Sequence, residues 1–180
     1  MHTVMALSLD LDDTLWPIWP TIERAELCLH EFLLLHAPKT AERFPIPGMR
    51  HLREHVAQEH PELAHDFTAQ RRISLSHAFR LTGESQDLVD PAFEAFFAAR
   101  NDVTLYQDCL PALEHLAAKL PIIALTNGNA DLQLTGVARF FTECISAKSI
   151  GSATPETPMF EAASRALGIV PENILHVGDD

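Results

Sequence analysis

The stretch LSLDLDDTLWPI, residues 7–18, decides the fold because it places crowded acidic side chains directly after a run that is typical of a buried strand. Residues 4–9, VMALSL, are nearly all apolar, as in strands that are covered on both faces. Asp10, Asp12 and Asp13 then fall within four positions. Burying carboxylates without partners costs several kcal/mol per group. The sequence therefore predicts a compensating partner at the end of this strand, and a divalent cation is the expected one.

Further strand-like runs alternate with helical patterns in the last third of the chain. Candidate strands lie at 120–129 (LPIIALTNGN), at 172–180 (ENILHVGDD) and, more weakly, at 141–147 (FTECISA); helices are predicted at 110–119 and 157–168. Asp108 is a candidate N-cap and Gly168 a candidate C-terminal cap for these helices. The alternation predicts an α/β fold with a Rossmann-like parallel sheet, in which ligands bind at the carboxyl ends of the strands.

The middle of the chain differs from both ends in its pattern of apolar residues and prolines. Proline residues there punctuate amphipathic stretches that contain few β-branched runs. This pattern predicts an inserted helical domain of four or five helices over residues 17–107. Residues 1–16 and 108–180 are then expected to form one split core domain. An insert placed directly after an acidic strand end suits a lid over a catalytic core.

Composition limits the classes of partner. The chain has 180 residues and a formal net charge of −12, with 13 basic residues against 25 acidic ones, so we expect neither nucleic acid nor an anionic membrane as a partner. Cys28, Cys109 and Cys144 form neither a zinc pattern nor a disulfide framework, which favours a reducing compartment, the cytoplasm. No export signal or membrane span is visible. The oligomeric state is left open.

Three motifs resemble those of the haloacid dehalogenase superfamily. The segment Asp10–Thr14 (DLDDT) matches its DxDxT signature, Thr126-Asn127 at a strand end is similar to its second motif, and residues 176–180 (HVGDD) are similar to its fourth. A helical insert after the first motif resembles the C1 cap of this superfamily. The resemblance spans the whole chain. LTNGNADLQLTG, NILHVGDD and the opening WPTIERAE of the insert are most similar to bacterial phosphatases that act on flavin mononucleotide and on the phosphorylated ribitylaminouracil precursor of riboflavin.

The resemblance implies a phosphatase that acts on a small phosphorylated metabolite. Such a reaction needs a nucleophile, an acid for the leaving oxygen and positive charge for the phosphoryl oxygens. By resemblance, Asp10 is the nucleophile that forms an aspartyl-phosphate, and Asp12 protonates the ester oxygen and later activates water. Thr126 and Asn127 are expected to hold the phosphoryl oxygens.

The same resemblance implies Mg²⁺, a cation that prefers oxygen ligands in octahedral geometry. The expected ligands are the Asp10 carboxylate, the Asp12 backbone carbonyl and Asp179. For Asp180, a metal contact and a supporting or N-cap role are equally open. Asp13 is expected mainly to shape the turn after the strand.

The sequence departs from the family pattern at the third motif. Where the family has a lysine before proline, this chain has Thr154 before Pro155, and a hydroxyl group supplies no positive charge. Lys148, six residues upstream, is a candidate replacement that could bind phosphate. Otherwise the enzyme is expected to be weakened or strongly dependent on its metal.

A second departure concerns the end of the chain. Family members continue past the fourth motif, whereas this sequence stops at Asp180, so we expect the last strand, residues 173–178, to lie at or near an exposed sheet edge. Either the sequence is a fragment of a longer chain, or a neighbouring molecule covers the gap.

Other interpretations remain open. A catalytically impaired phosphate-binding relative would suit Thr154, and a haloacid dehalogenase would use the same aspartate on carbon but needs neither Asp12 nor a metal. A receiver domain fits poorly, because the helical insert does not suit that compact fold. Within the insert, Arg71 and Arg72 could meet a remote anion of the substrate, but adjacent arginines on a helix point in different directions, and a solvated face is the favoured interpretation.

Overall fold

The computed structural model describes residues 3–179, which divide into two compact units. One unit consists of the described residues up to Ile18 together with those from Val103 onward, and the other is Trp19–Asp102. The two units differ in class, since all four strands of the described chain lie in the first unit.

The first unit is built on a parallel sheet with the strand order β3-β2-β1-β4. The strands are β1 (Ala6–Leu9), β2 (Ile122–Thr126), β3 (Glu143–Ser146) and β4 (Ile174–Val177). The register places Leu9 beside Ala124 on one side and beside Val177 on the other. The predicted α/β fold with a parallel sheet is confirmed, including the weakest candidate strand, which is β3.

Strand β2 is buried along its whole length, and each of its faces packs on a separate core. Ile122 and Ala124 of β2 join a cluster with Leu7 and Leu9 of β1 and with Leu113. The alternate β2 residues, Ile123 and Leu125, pack on the opposite face with Ile145, Met159 and Ala163. The period-two alternation of a strand therefore divides one apolar run between two cores.

Helices α6 (Cys109–Ala117), α7 (Ala147–Ile150) and α8 (Thr157–Leu167) connect these strands. Gly168 ends α8 in the left-handed conformation with φ of 66°, as the sequence predicted. Asp108 occupies the N-cap position of α6, as predicted, but its side chain makes no capping hydrogen bond. Asp108 has helical dihedral angles (φ −87°, ψ −10°) rather than the extended angles that N-cap side chains need.

Strand β4 forms one edge of the sheet, and within residues 3–179 it pairs only with β1. Its side chains Leu175 and Val177 are 49% and 45% exposed. The predicted exposed edge is therefore confirmed for the described residues. On one face of β1 and β4 an open apolar groove is lined by Leu7, Leu9, Leu113, Leu116, Leu175 and Val177.

The second unit, Trp19–Asp102, is helical. Its helices are α1 (Ile18–His36), α2 (Pro38–Arg43), α3 (Ile46–Glu59), α4 (Phe67–Thr82) and α5 (Val89–Asn101). Its core joins apolar side chains of α1, α4 and α5, among them Leu29, Leu33, Leu75, Phe79 and Phe96. The prediction of four or five helices in this part of the chain is confirmed. Among the described residues, no helix has the length and apolar character needed to cross a membrane.

Candidate active site

The polar side chains singled out in the sequence follow the carboxyl ends of parallel strands. Asp10 follows β1, Thr126 is the last residue of β2, and Asp179 lies two residues after β4. Lys148 lies two residues after β3, in the short helix α7. Because all four strands run in the same direction, these positions all lie on the side of the sheet where the strands end.

Asp10 is held at the junction of β1 and β4. Its backbone N–H donates to the Val177 carbonyl at 2.9 Å, which extends the β1–β4 ladder by one residue. The Leu11 N–H favours the charged form of its carboxyl group, and the Asp179 side chain lies close enough to raise the pKa of Asp10. The structure therefore brings together Asp10 and Asp179, two of the predicted metal ligands.

The environment of Asp10 raises its pKa from 3.8 to about 7. Burial is the largest cause, the Leu11 N–H opposes it, and the charges of Asp12 and Asp179 raise the pKa further. Both charged groups that raise the pKa are carboxylates. The carboxyl end of β1 thus carries negative charge that a bound cation would neutralise.

Gly178 allows β4 to approach Asp10 closely. A Cβ atom at position 178 would lie 3.3 Å from the Asp10 Cβ and 3.2 Å from the His176 Nε2. His176 is itself fixed, because its Nδ1 lies 2.9 Å from the hydroxyl of Ser8, its partner across the β1–β4 ladder. A side chain at position 178 would therefore push on the Asp10 carboxylate.

The turn after β1 orients the second aspartate. The indole N–H of Trp16 donates to Asp12 Oδ1 at 2.8 Å, and the Asp13 N–H donates to the Trp16 carbonyl at 2.8 Å. Trp16 is fully buried, so it is a rigid donor for Asp12. The sequence analysis missed this role; its only signal was a tryptophan four residues after the aspartate.

Asp13 shapes this turn, as predicted. Its φ of 57° lies in the left-handed region, and its Oδ1 accepts a hydrogen bond from the Ile18 N–H at 2.8 Å. Aspartate tolerates this conformation better than most residues. The side chain is exposed and points to a backbone donor, which gives it a structural role.

The end of β2 carries Thr126 and Asn127. Thr126 is buried, and its hydroxyl accepts a hydrogen bond from the Gly128 N–H at 3.0 Å. The Asn127 side chain accepts from the Thr154 N–H at 2.8 Å and donates to the Thr154 carbonyl at 3.2 Å. These bonds join the loop after β2 to the segment in which the family lysine is missing, a link that the sequence analysis did not foresee.

Lys148 and Thr154 lie on the stretch between β3 and α8. Lys148 is exposed on α7, whose first turn is closed by a capping box between Ser146 and Ser149. Thr154 is half-buried and is fixed through its backbone by Asn127. The backbone at position 154 is therefore held in place by hydrogen bonds. The threonine side chain there brings no charge to the site.

The residues that follow the carboxyl ends of β1 and β4 suit a magnesium ion. Within residues 3–179, no three His, Cys, Asp or Glu side chains form a metal cluster. The expected set, however, needs only the carboxylates of Asp10 and Asp179 with the backbone carbonyl of Asp12. The Asp10 carboxyl group, with its raised pKa and a second carboxyl group beside it, fits a hard cation that prefers oxygen. The remaining candidate ligand, Asp180, lies outside the described residues.

Comparisons with known proteins show the family of this chain. Residues 4–180 match the profile of the haloacid dehalogenase-like hydrolases. The chain is 33% identical over 181 residues to 5-amino-6-(5-phospho-D-ribitylamino)uracil phosphatase YigB of Escherichia coli (strain K12), a match that covers 98% of this chain and 76% of that protein. A shorter match, 32% identical over 93 residues, relates 48% of the chain to 37% of the phosphoserine phosphatase of Thermus thermophilus.

A solved structure has a similar fold over nearly the whole chain. The crystal structure described as 2-haloacid dehalogenase from Pseudomonas syringae pv. Tomato DC3000 superposes with a TM-score of 0.91. It is 33% identical, and the match covers 99% of this chain and 79% of that one. The similarity thus extends over both units.

Proposed function

Because the chain belongs to the family of haloacid dehalogenase-like hydrolases, we propose that it hydrolyses a small phosphate monoester with Asp10 as the nucleophile. The observation that carries this proposal is the interaction of two carboxyl groups, that of Asp10 after β1 and that of Asp179 after β4, with Asp12 two positions beyond Asp10 in the chain. Asp10 and Asp12 both follow β1. One of these carboxylates, Asp10, can attack phosphorus, and the other, Asp12, can transfer the proton.

The reaction takes place in two steps. An oxygen of Asp10 attacks phosphorus, the ester oxygen leaves with a proton from Asp12, and an aspartyl-phosphate remains. Asp12 then takes a proton from a water molecule, and the resulting hydroxide attacks phosphorus and releases the Asp10 carboxylate. The hydrogen bond from Trp16 to Asp12 Oδ1 fixes the orientation of the carboxyl group that carries this proton.

The residues that would hold Mg²⁺ are Asp10, Asp179 and the backbone carbonyl of Asp12. When bound, this ion supplies positive charge that favours the ionised form of Asp10 and offsets the charge of the phosphoryl oxygens. The pKa of about 7 means that a large part of Asp10 is protonated near neutral pH in the absence of a cation. A protonated carboxyl group is a poor nucleophile, so the activity is expected to depend on the metal.

Three further residues are proposed to bind the phosphoryl group. Thr126 and Asn127 lie at the end of β2, next to β1 in the sheet, and Lys148 follows β3. Since the Asn127 side chain is engaged by Thr154, its backbone N–H is the donor that we assign to phosphate. Lys148 is the candidate for a partial replacement of the family lysine.

The helical unit Trp19–Asp102 is proposed to act as a cap that selects the substrate. The candidate substrates are the phosphoribitylaminouracil of the Escherichia coli relative and, by the sequence resemblance, flavin mononucleotide. The reaction is proposed to occur in the cytoplasm, which suits three cysteines that form no disulfide.

The test is phosphate release from a panel of phosphate esters that includes these two, with and without Mg²⁺. The wild type is compared with Asp10→Asn, which keeps the shape of the side chain but removes the nucleophile. We expect Mg²⁺-dependent release by the wild type and a loss of at least about 10³-fold in the variant. Release that ignores Mg²⁺, or that survives in Asp10→Asn, would contradict the mechanism.

Dehalogenation of a 2-haloacid is the second candidate, since the similar solved structure carries that name. In that reaction Asp10 would attack carbon and halide would leave, so no proton donor at Asp12 is needed. Halide release from 2-chloropropionate, measured for the wild type and Asp12→Asn, separates the two reactions. Halide release that Asp12→Asn retains favours dehalogenation, whereas binding of inorganic phosphate without hydrolysis of any ester favours an impaired relative.

A further inference from the structure

Asp179 lies two residues beyond the end of β4. Among residues 3–179, the β1–β4 ladder ends with the hydrogen bond from the Asp10 N–H to the Val177 carbonyl. Gly178 lies between this last bond and Asp179, and glycine has more backbone freedom than any other residue. The ladder alone therefore does not fix the position of the Asp179 carboxylate relative to Asp10.

The imidazole ring of His176 lies beside Gly178. Side chains two positions apart on a strand share one face, so the ring and position 178 lie on the same face of β4. A Cβ atom at position 178 would lie 3.2 Å from His176 Nε2 and 3.3 Å from the Asp10 Cβ. The ring thus fills space next to the backbone that leads to Asp179, and it limits how far that backbone can move.

Two neighbours hold this ring in place. The Ser8 hydroxyl lies 2.9 Å from His176 Nδ1, and Ser8 is the partner of His176 in the β1–β4 register. Ser8 is fully buried, and a buried hydroxyl group needs a hydrogen-bond partner. On the other side, the Phe160 ring of α8 meets the imidazole edge-on, with 5.1 Å between the ring centres and an interplanar angle of 83°. The orientation of the imidazole is therefore determined from both β1 and α8.

The ring acts through its position rather than through charge. Burial lowers the pKa of His176 below its ordinary value of 6.5, against an opposing hydrogen bond with the Ser8 backbone. The imidazole is therefore mainly neutral above neutral pH. A neutral ring neither attracts the carboxylates nearby nor repels a cation bound to them.

We propose that the Ser8–His176 pair is a positioning pair, which holds Gly178 close to Asp10 and so places the Asp179 carboxylate where it can bind Mg²⁺. Residues that orient metal ligands without binding the metal commonly change its affinity by about 10- to 100-fold. The inference rests on the proposed phosphatase and its Mg²⁺ site. It adds two residues that set the affinity of this site although neither is a ligand.

Titration calorimetry with Mg²⁺, on the whole chain, above neutral pH and without substrate, tests the role of this pair. His176→Ala removes the ring, and Ser8→Ala removes only the hydroxyl group. Leu175→Ala is the matched control, because Leu175 lies on the same edge strand but faces the apolar groove on the opposite side. Asp179→Asn removes a proposed ligand and measures the Mg²⁺ that binds elsewhere on this acidic protein.

We expect the Kd for Mg²⁺ to rise at least about tenfold in His176→Ala and about threefold in Ser8→Ala. The double variant binds no more weakly than His176→Ala, because the two residues act as one unit. Leu175→Ala lowers Tm but keeps the Kd of the wild type. In steady-state kinetics, saturating Mg²⁺ restores most of the kcat of His176→Ala, and KM for the phosphate ester is unchanged. A purely structural role of His176 would not produce this response.

The proposal is overturned if folded His176→Ala binds Mg²⁺ as the wild type does, if Leu175→Ala loses as much affinity, or if the wild type binds no more Mg²⁺ than Asp179→Asn. If His176→Ala does not fold, an unchanged Kd in Ser8→Ala overturns it. A wild type that binds Mg²⁺ at this site but hydrolyses no ester contradicts the proposed reaction alone. The Kd values of the variants still decide the role of His176 in that case.

Discussion

Asn127 and Thr154 are joined by two reciprocal hydrogen bonds, from the Thr154 N–H to Asn127 Oδ1 at 2.8 Å and from Asn127 Nδ2 to the Thr154 carbonyl at 3.2 Å. The pair fixes position 154 relative to the end of β2, whichever side chain stands there. The chain thus keeps the hydrogen bonds that hold position 154, although it lacks the positively charged lysine that its family has there.

Thr154→Lys is therefore expected to raise phosphatase activity. The backbone that Asn127 holds is unchanged, and the new ammonium group adds the positive charge that the phosphoryl oxygens need. We expect an increase in kcat/KM of about tenfold, equivalent to about 1.4 kcal/mol. Steady-state kinetics with a generic phosphomonoester measures it, beside Thr157→Lys, which adds the same charge at the exposed start of α8.

An unchanged kcat/KM in a folded Thr154→Lys variant would mean that Lys148 or another group already supplies this charge. Lys148→Met would then lose most of the activity. The two substitutions together therefore decide which position carries the cation.

Asp10→Asn is expected to stabilise the metal-free protein at neutral and higher pH. The pKa of Asp10 is raised from 3.8 to about 7, so the folded state binds more protons than the unfolded state between these values. The wild type then loses stability as pH rises from about 4 to about 7, and the asparagine variant does not. After discounting for solvent screening, we expect a difference of about 1–2 kcal/mol at pH 8.

Thermal unfolding in EDTA at pH 4 and pH 8 measures this difference. Glu143→Gln, which neutralises an exposed carboxylate on β3, is the control. Equal Tm differences between wild type and Asp10→Asn at both pH values would contradict the assigned environment of Asp10.

Gly178→Ala is expected to lower activity more than stability. The new Cβ would lie 3.3 Å from the Asp10 Cβ, so the nucleophile must shift by a few tenths of an ångström. Small displacements of a reacting group are costly, and we expect kcat to fall about three- to tenfold while stability changes by less than about 1 kcal/mol. Gly48→Ala is the control, because its Cβ meets no atom closer than 3.5 Å. A variant with unchanged kcat would show that the close approach is without consequence.

Trp16→Phe is expected to lower kcat with little effect on KM. The substitution removes the indole donor 2.8 Å from Asp12 Oδ1 but keeps an aromatic ring in the core. We expect a loss of about tenfold, together with a shift in the pH profile of kcat, because the orientation of Asp12 matters only for proton transfer. Trp19→Phe replaces an exposed tryptophan and is the matched control. A loss in KM alone, or no shift of the pH profile, would assign Trp16 a purely structural role.

The sequence predicted most of the fold and the family, which the profile match confirms together with its hydrolase class. Three motifs at strand ends carried this prediction, because a parallel sheet places such ends together whatever lies between them. The roles of Asp10, Asp12, Thr126, Asn127, Lys148 and Asp179 remain predictions. The structure adds that Asp179 lies close enough to Asp10 to raise its pKa.

Other features depend on packing that local patterns do not encode. The Asn127–Thr154 link joins the Asn127 side chain to backbone atoms of a residue 27 positions away, and the residue type at position 154 gives no sign of it. Arg71 was misjudged because its burial depends on how α4 packs on α5, where the Phe96 ring receives it. Asp108 occupies the predicted N-cap position but has helical backbone angles, so its residue type alone did not show that its side chain makes no capping hydrogen bond.

Because β4 lies at the edge of the sheet, Asp179 is held less firmly than Asp10. Asp10 follows a strand that is hydrogen-bonded on both sides, whereas Asp179 follows one that, within the described residues, is hydrogen-bonded on one side. Edge elements with exposed backbone open locally at a lower free energy than central ones. Amide hydrogens of β4 should therefore exchange faster than those of β1, and each opening event separates Asp179 from Asp10 while the rest of the sheet stays folded.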